Sequence, residues 1–141
     1  MTDFVLDNSV AMRWHLPTAK PLDQHYAERV LSTLAEVDTL VPSLWHLEAA
    51  NVLLGAEKRE QTGLGEIEIF LTQLDSLPIH VDGLTAQQCF SRTISIARAY
   101  GLSSYDAAYL ELAIRSGLPI ATLDKDLRKA ATEAKVGIYL V

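Results

Sequence analysis

Phe4-Val5-Leu6-Asp7-Asn8-Ser9 decides how this chain is read: a short, wholly apolar run that stops at an acid. The pattern returns near the other end, where Pro119-Ile120-Ala121-Thr122 is followed by Asp124. Thr39-Leu40-Val41, stopped by Pro42, and Ile79-His80-Val81 are two more such runs, and Ile138 to Leu140 makes a last one after Gly137. Each has the length of a strand, and their apolar content suits strands covered on both faces. Helical spacing fills the intervals. Leu22, Tyr26, Val30, Leu31 and Leu34 mark a helix over 21–36, and others are expected over 44–61, ended by Gly63, and over 64–77. Thr85 is a cap for a helix that closes at Gly101, Ser103 or Ser104 opens one closed by Gly117, and the last covers about 126–134. Strands separated by helices require crossover connections. The expected architecture is therefore an α/β fold, a three-layer α/β/α sandwich around a mostly parallel sheet of about five short strands.

In such a sheet, ligands bind beyond the carboxyl ends of the strands. Asp7 and Asp124 follow strands directly, with Asp126 two residues on. Glu48 lies in the second turn of the helix after Thr39-Leu40-Val41, and Asp106 opens the helix that leads into the fourth strand. Four carboxylates from distant parts of the chain are thus expected at one edge. The segment from Leu44 to Leu54 is apolar on almost every side, so its helix is expected to be buried, with Glu48 and Asn51 sharing a face. A buried, unpaired carboxylate is costly, and clustered carboxylates raise one another's pKa. A divalent cation offsets both, and hard oxygen ligands suit Mg²⁺ or Mn²⁺. No His pair or Cys cluster stands at zinc spacing. Such a centre suits phosphodiester hydrolysis.

Each acid also has a plainer reading. Asp7 suits a turn, Ser103-x-x-Asp106 a capping box, Asp124 and Asp126 a helix cap, and Glu48 a solvent-facing position. The functional reading rests on all of them falling on one edge.

At 141 residues the chain fits one domain, residues 1–141. No apolar run reaches the roughly 18 residues of a membrane span, and the first residues lack a signal-peptide pattern. Cys89 is the sole cysteine and has no partner for a disulfide or thiolate site, so a cytoplasmic location is expected. The net charge of −6 opposes a generic nucleic-acid binder, unless acids gathered at a cation dominate the count.

Four segments in order resemble the motifs of PilT N-terminus (PIN) domains, and most closely the VapC-like toxins. They are Phe4 to Ala11 with its Asp7-Asn8-Ser9, Leu47-Glu48-Ala49-Ala50-Asn51-Val52-Leu53, Tyr105-Asp106-Ala107-Ala108-Tyr109, and Ala121-Thr122-Leu123-Asp124-Lys125-Asp126-Leu127. The resemblance spans the whole chain. It implies a Mg²⁺- or Mn²⁺-dependent endoribonuclease, a homodimer, and a small cognate antitoxin. By the same resemblance Asp7, Glu48, Asp106 and Asp124 are the catalytic, metal-binding acids, Ser9 and Thr122 hold ligands or water, and Asn51 orients Glu48. Asp124 is favoured as the fourth acid because it stands nearer the strand end, with Asp126 behind it or capping the helix. A water nucleophile would leave a 5′-phosphate and a 3′-hydroxyl. Arg13 and Lys125 stand nearest for RNA, Trp14 and Tyr105 could stack on bases, and Trp45 and Tyr109 read as core. Three other readings stand beside this one, and one, a phospho-accepting signalling domain, would need a lysine late in the chain near the acids, for which Lys125 is the candidate. An aspartyl-phosphate phosphohydrolase would need a second acid where Ser9 stands, and a non-catalytic interaction module would not need the acids.

Overall fold

The computed structural model describes residues 2–141. Its centre is a four-stranded sheet in the order β3-β2-β1-β4, with β1 at Phe4–Leu6, β2 at Thr39–Val41, β3 at Ile79–Val81 and β4 at Ile120–Ala121. All three pairings are parallel, and β1 pairs Val5 with Ile120 and Leu6 with Ala121. Helices cover both faces, giving the expected α/β fold. The sheet differs in its last strand: Ile138 makes only an isolated bridge to Ile120, so the expected fifth strand is absent. Leu140 adopts φ 61°, which breaks the extension a strand requires.

The helices follow the sequence closely. They are α1 (Asn8–Ala11), α2 (Pro21–Thr33), α3 (Trp45–Lys58), α4 (Leu64–Asp75), α5 (Thr85–Gln88), α6 (Ile94–Tyr100), α7 (Ser104–Ser116) and α8 (Lys125–Glu133). A turn of 3₁₀-helix, Met12–Trp14, continues α1, and one π-helical turn, Cys89–Thr93, joins α5 to α6. Gly101 and Gly117 end α6 and α7 in the left-handed conformation that glycine reaches without a Cβ clash. Thr85 does not cap its helix; its Oγ1 instead accepts from the Ser43 N–H and ties α5 to the β2–α3 turn.

The core gathers on β1, which is fully buried, and on α7, whose residues 107–113 are all buried. Phe4 stacks on Tyr139 with ring centroids 4.0 Å apart. The helix α3 departs from expectation. Only Trp45, Ala49, Leu53 and Ala56 are buried, while Leu47 is 77% exposed. Its apolar surface exceeds what the sheet and α4 cover.

A buried ion network ties α7 to the end of β3. Arg115 binds Asp82 through two nitrogens, at 3.0 and 2.7 Å, and Glu111 at 2.9 Å. Glu111 is only 2% exposed. Removing the Arg115 cation would leave that buried carboxylate only the more distant Arg92, at 3.9 Å. Arg115→Met is therefore expected to cost about 1–3 kcal/mol of unfolding free energy, and Arg115→Met with Glu111→Leu to recover part of it, the share owed to Asp82 remaining lost. Urea denaturation of the three proteins checks this; equal losses in both variants would contradict it.

Candidate active site

The β1–β4 pairing sets the first contacts. Because Leu6 is in register with Ala121, the next residues, Asp7 and Thr122, emerge side by side at the carboxyl edge. The Asp7 N–H donates to the Ala121 carbonyl at 3.0 Å, and Thr122 Oγ1 donates to Asp7 Oδ2 at 2.7 Å. Ser9, in the first turn of α1, donates to the same oxygen at 2.6 Å. Backbone groups aim both hydroxyls. Ser9 Oγ accepts from the Leu123 N–H at 2.9 Å and Thr122 Oγ1 from the Asp124 N–H at 3.0 Å, so each hydroxyl proton is left for Asp7. Ser9 and Thr122 thus both hold Asp7, where the sequence reading expected them to hold ligands or water.

Asp124 caps α8: its Oδ1 accepts from the Leu127 N–H at 2.8 Å. Asp106 sits in the first turn of α7, where its own N–H is held by the Ser103 hydroxyl at 3.1 Å. The cap reading therefore holds for Asp124, whereas the box at Ser103 is only half closed: the Asp106 carboxylate accepts from no donor among the described residues. Glu48, in the first turn of α3 and not the second as expected, accepts from the Tyr109 hydroxyl at 2.5 Å.

These acids share one field. Burial raises the Asp7 carboxyl above its ordinary range against the pull of its two hydroxyl donors, and Asp124 raises it further. Glu48 is raised by burial and by Asp7, with Tyr109 and Asn8 opposing. Asp106 is pushed up to about 6, first by burial, then by Asp124, Asp7, Glu48 and Asp126 in turn. Asp126 itself is exposed in the first turn of α8. None of the five acids forms an ion pair with a lysine, arginine or histidine among the described residues.

Two expectations change. Asn51 does not orient Glu48: it is exposed and makes no hydrogen bond to it. On a helix of 3.6 residues per turn, Asn51 falls nearly opposite the buried stripe of α3, whereas Glu48 lies at the flank that faces α7. The group holding Glu48 is Tyr109, fully buried and one turn beyond Asp106 on α7. Asn8 is the second residue that sequence reasoning missed. Its Nδ2 reaches the Trp45 carbonyl at 3.0 Å and the Tyr109 hydroxyl at 3.3 Å. The i,i+3 relation of Asp106 and Tyr109 was the available signal. Arg13 is partly exposed in the 3₁₀ turn and Lys125 is exposed as the first residue of α8. Of the aromatic candidates, Tyr105 is exposed, whereas the Trp14 indole is engaged with the Ala27 carbonyl at 2.8 Å.

The donor set fits a hard divalent cation, because it is all oxygen and carries charge that no basic side chain neutralises. Asn8 Oδ1 is also buried beside it without a donor. The acids do not close into a cage, and no group of three or more His, Cys, Asp or Glu side chains among the described residues is arranged to hold an ion by itself. Mutual repulsion favours that looseness, and several carboxylate oxygens are already committed to protein donors.

The family profile for the PIN domain matches residues 4–133. The chain belongs to the PIN domain family. PIN domains are generally metal-dependent nucleases and typically use divalent metal ions. Among solved structures, PAE2754 from Pyrobaculum aerophilum is similar, with a TM-score of 0.63 and 22% identity over 92% of this chain and 79% of that one. FitAcB from Neisseria gonorrhoeae is similar with a TM-score of 0.58 and 18% identity over 96% of each chain. No curated protein matches in sequence.

The charge field has a pH signature. Asp106 has a folded-state pKa of about 6 against an ordinary 3.8, so folding costs nothing from this group below pH 4 and the full penalty above pH 6. Asp7 and Glu48 shift in the same direction. The ion-free protein is therefore expected to melt higher at pH 5 than at pH 7. After allowance for solvent screening at this partly exposed site, Asp106→Asn should gain on the order of 1 kcal/mol at pH 7 and flatten the slope. Thermal melts in chelator across that range check it; a slope of opposite sign would contradict the grouping of the acids.

Proposed function

We propose that this PIN domain is a Mg²⁺- or Mn²⁺-dependent endoribonuclease and the toxin half of a toxin–antitoxin pair. What carries the reading is the electrostatic grouping of Asp7, Glu48, Asp106, Asp124 and Asp126 without a basic partner. Asp7, Glu48 and Asp106 would hold the ion, and Asp124 would join them, with Asp126 adding charge from behind. When bound, the ion supplies positive charge that polarises the phosphoryl group and favours ionisation of an attacking water.

The remaining work falls to the protein. Ser9 and Thr122 fix one Asp7 oxygen, so that carboxylate needs no rearrangement during turnover. The serine among the acids, Ser9, is engaged in structure, donating to Asp7 and accepting from the Leu123 N–H, and no cysteine or histidine joins it among the described residues. Water is therefore the attacking group: its oxygen bonds to phosphorus, the bond from phosphorus to the 3′ oxygen breaks, and that oxygen leaves with a proton while the phosphate stays on the 5′ end. Arg13 and Lys125 lie outside every ion pair among the described residues, which leaves their charge available to draw the RNA backbone. Exposed Tyr105, beside Asp106, offers a ring on which a base can stack.

The groove between α3 and α4, about 600 Å³ and lined by Trp45, Ala49, Leu53, Ile67, Leu71 and Leu74, suits the amphipathic helix of a small antitoxin. An antitoxin arginine reaching the acids would neutralise them in place of the ion. The remaining exposed apolar surface suits a homodimer. No helix among the described residues is long and apolar enough to cross a membrane, and the proposed setting is the cytoplasm.

RNA cleavage is expected with Mg²⁺ or Mn²⁺ and none with chelator. Asp7→Asn should lower the rate at least about 100-fold, the scale for losing a positioned charge in a reaction centre. Products should carry 5′-phosphate and 3′-hydroxyl ends. A 2′,3′-cyclic phosphate, or cleavage undiminished in chelator, would reject the mechanism.

A further inference from the structure

We propose that Asn8 and Tyr109 form a positioning relay that sets the Glu48 carboxylate for the divalent cation; this rests on the metal-dependent reading above. The chain of contacts has one chemically consistent direction. The Trp45 carbonyl only accepts, so the Asn8 atom 3.0 Å from it is the amide nitrogen. An ionised Glu48 only accepts, so the Tyr109 hydroxyl donates to Oε1 across 2.5 Å. A lone pair of that hydroxyl then takes the second Asn8 N–H, at 3.3 Å.

The relay acts on both the helix and the side chain. By binding the carbonyl of Trp45, the first residue of α3, Asn8 pins the turn from which Glu48 projects. Through Tyr109 it also fixes the carboxylate. The two residues stand next to two other acids: Asn8 follows Asp7 on the chain, and Tyr109 lies one helical turn after Asp106. Glu48 is thus referred to Asp7 through α1 and to Asp106 through α7. Asn8 is 7% exposed and Tyr109 is fully buried, so the contacts are shielded from water.

The chemical type of the holders matters. A lysine or arginine would fix Glu48 equally well, but its charge would compete with the incoming cation. An amide and a phenol hold the carboxylate while leaving its charge for the ion. A tyrosine serving only as core would stabilise the ion-free and ion-loaded protein equally. A positioning tyrosine makes its largest difference to ion affinity.

The test is Mn²⁺ binding by isothermal titration calorimetry, with melting curves in chelator and in saturating Mn²⁺, on the full chain and its Tyr109→Phe, Asn8→Ala and Asp7→Asn variants. Tyr109→Phe removes one oxygen and should weaken Mn²⁺ binding about 10-fold, the lower end of the cost of losing a group that orients a ligand. Its melting point should fall more in Mn²⁺ than in chelator. Asn8→Ala should show a smaller loss of affinity in the same direction, and it decides the matter should Tyr109→Phe not fold. Wild-type affinity in the folded variants, or equal melting losses with and without Mn²⁺, overturns the relay alone. A wild-type protein that binds no Mn²⁺ overturns the metal reading, and the relay with it.

Discussion

Mutual repulsion among carboxylates at the end of β1 and β4 is the constraint on which the site depends. The parallel register of the two strands delivers Asp7 and Thr122 together, and the β4–α8 turn then supplies the backbone N–H groups that aim two hydroxyls at Asp7. That arrangement holds a nearly buried acid in place while doing nothing to neutralise it. Four further acids then add to the field, and Asp106, with no hydrogen-bond donor to its carboxylate among the described residues, is raised to about 6. A fold selected for stability alone would place a basic side chain there. This one does so elsewhere, since Arg115 pairs with Asp82 and, together with Arg92, with Glu111 of α7. The contrast between a neutralised acidic pair and an unneutralised acidic group within one helix's reach sets the site apart from ordinary structural ion pairing.

Much of this was legible in the sequence because it follows from local rules. Short apolar runs gave the strands at 4–6, 39–41 and 79–81, and glycine closed α6 and α7 at the expected positions. Acids that follow strands of a parallel sheet must come out on one edge, so their grouping follows from topology alone. The expected fifth strand failed because Ile138 to Leu140 is apolar but bends immediately, and a left-handed residue is invisible to hydropathy. The supposed burial of α3 failed for a related reason. Periodicity counts apolar residues, while burial depends on how much partner surface the fold supplies.

The errors at the site share a different cause. Asn51 looked right because it stands three residues from Glu48, but one-dimensional spacing does not say which way the shared face points. Tyr109 looked like core and is core. Its ring packs in the interior while its hydroxyl reaches the acid on a neighbouring helix, and only the approach of α7 to α3 reveals that double use. Long amphipathic side chains carry an apolar body and a polar tip, so assigning such a residue wholly to one role loses half of its contribution.

The acidic total of the chain also takes on a different meaning once the site is placed. Five of its 18 acids contribute to a single field at one edge. On the proposed reading, a bound cation would cancel much of that charge and reverse the local potential that an approaching phosphate meets. Arg13 and Lys125 would then add to an attractive centre instead of competing with a repulsive one. The net charge of −6 therefore describes the ion-free protein, which has reason to bind a cation before it can bind RNA. On the proposed reading, ordered loading, ion first and polyanion second, would follow from the electrostatics.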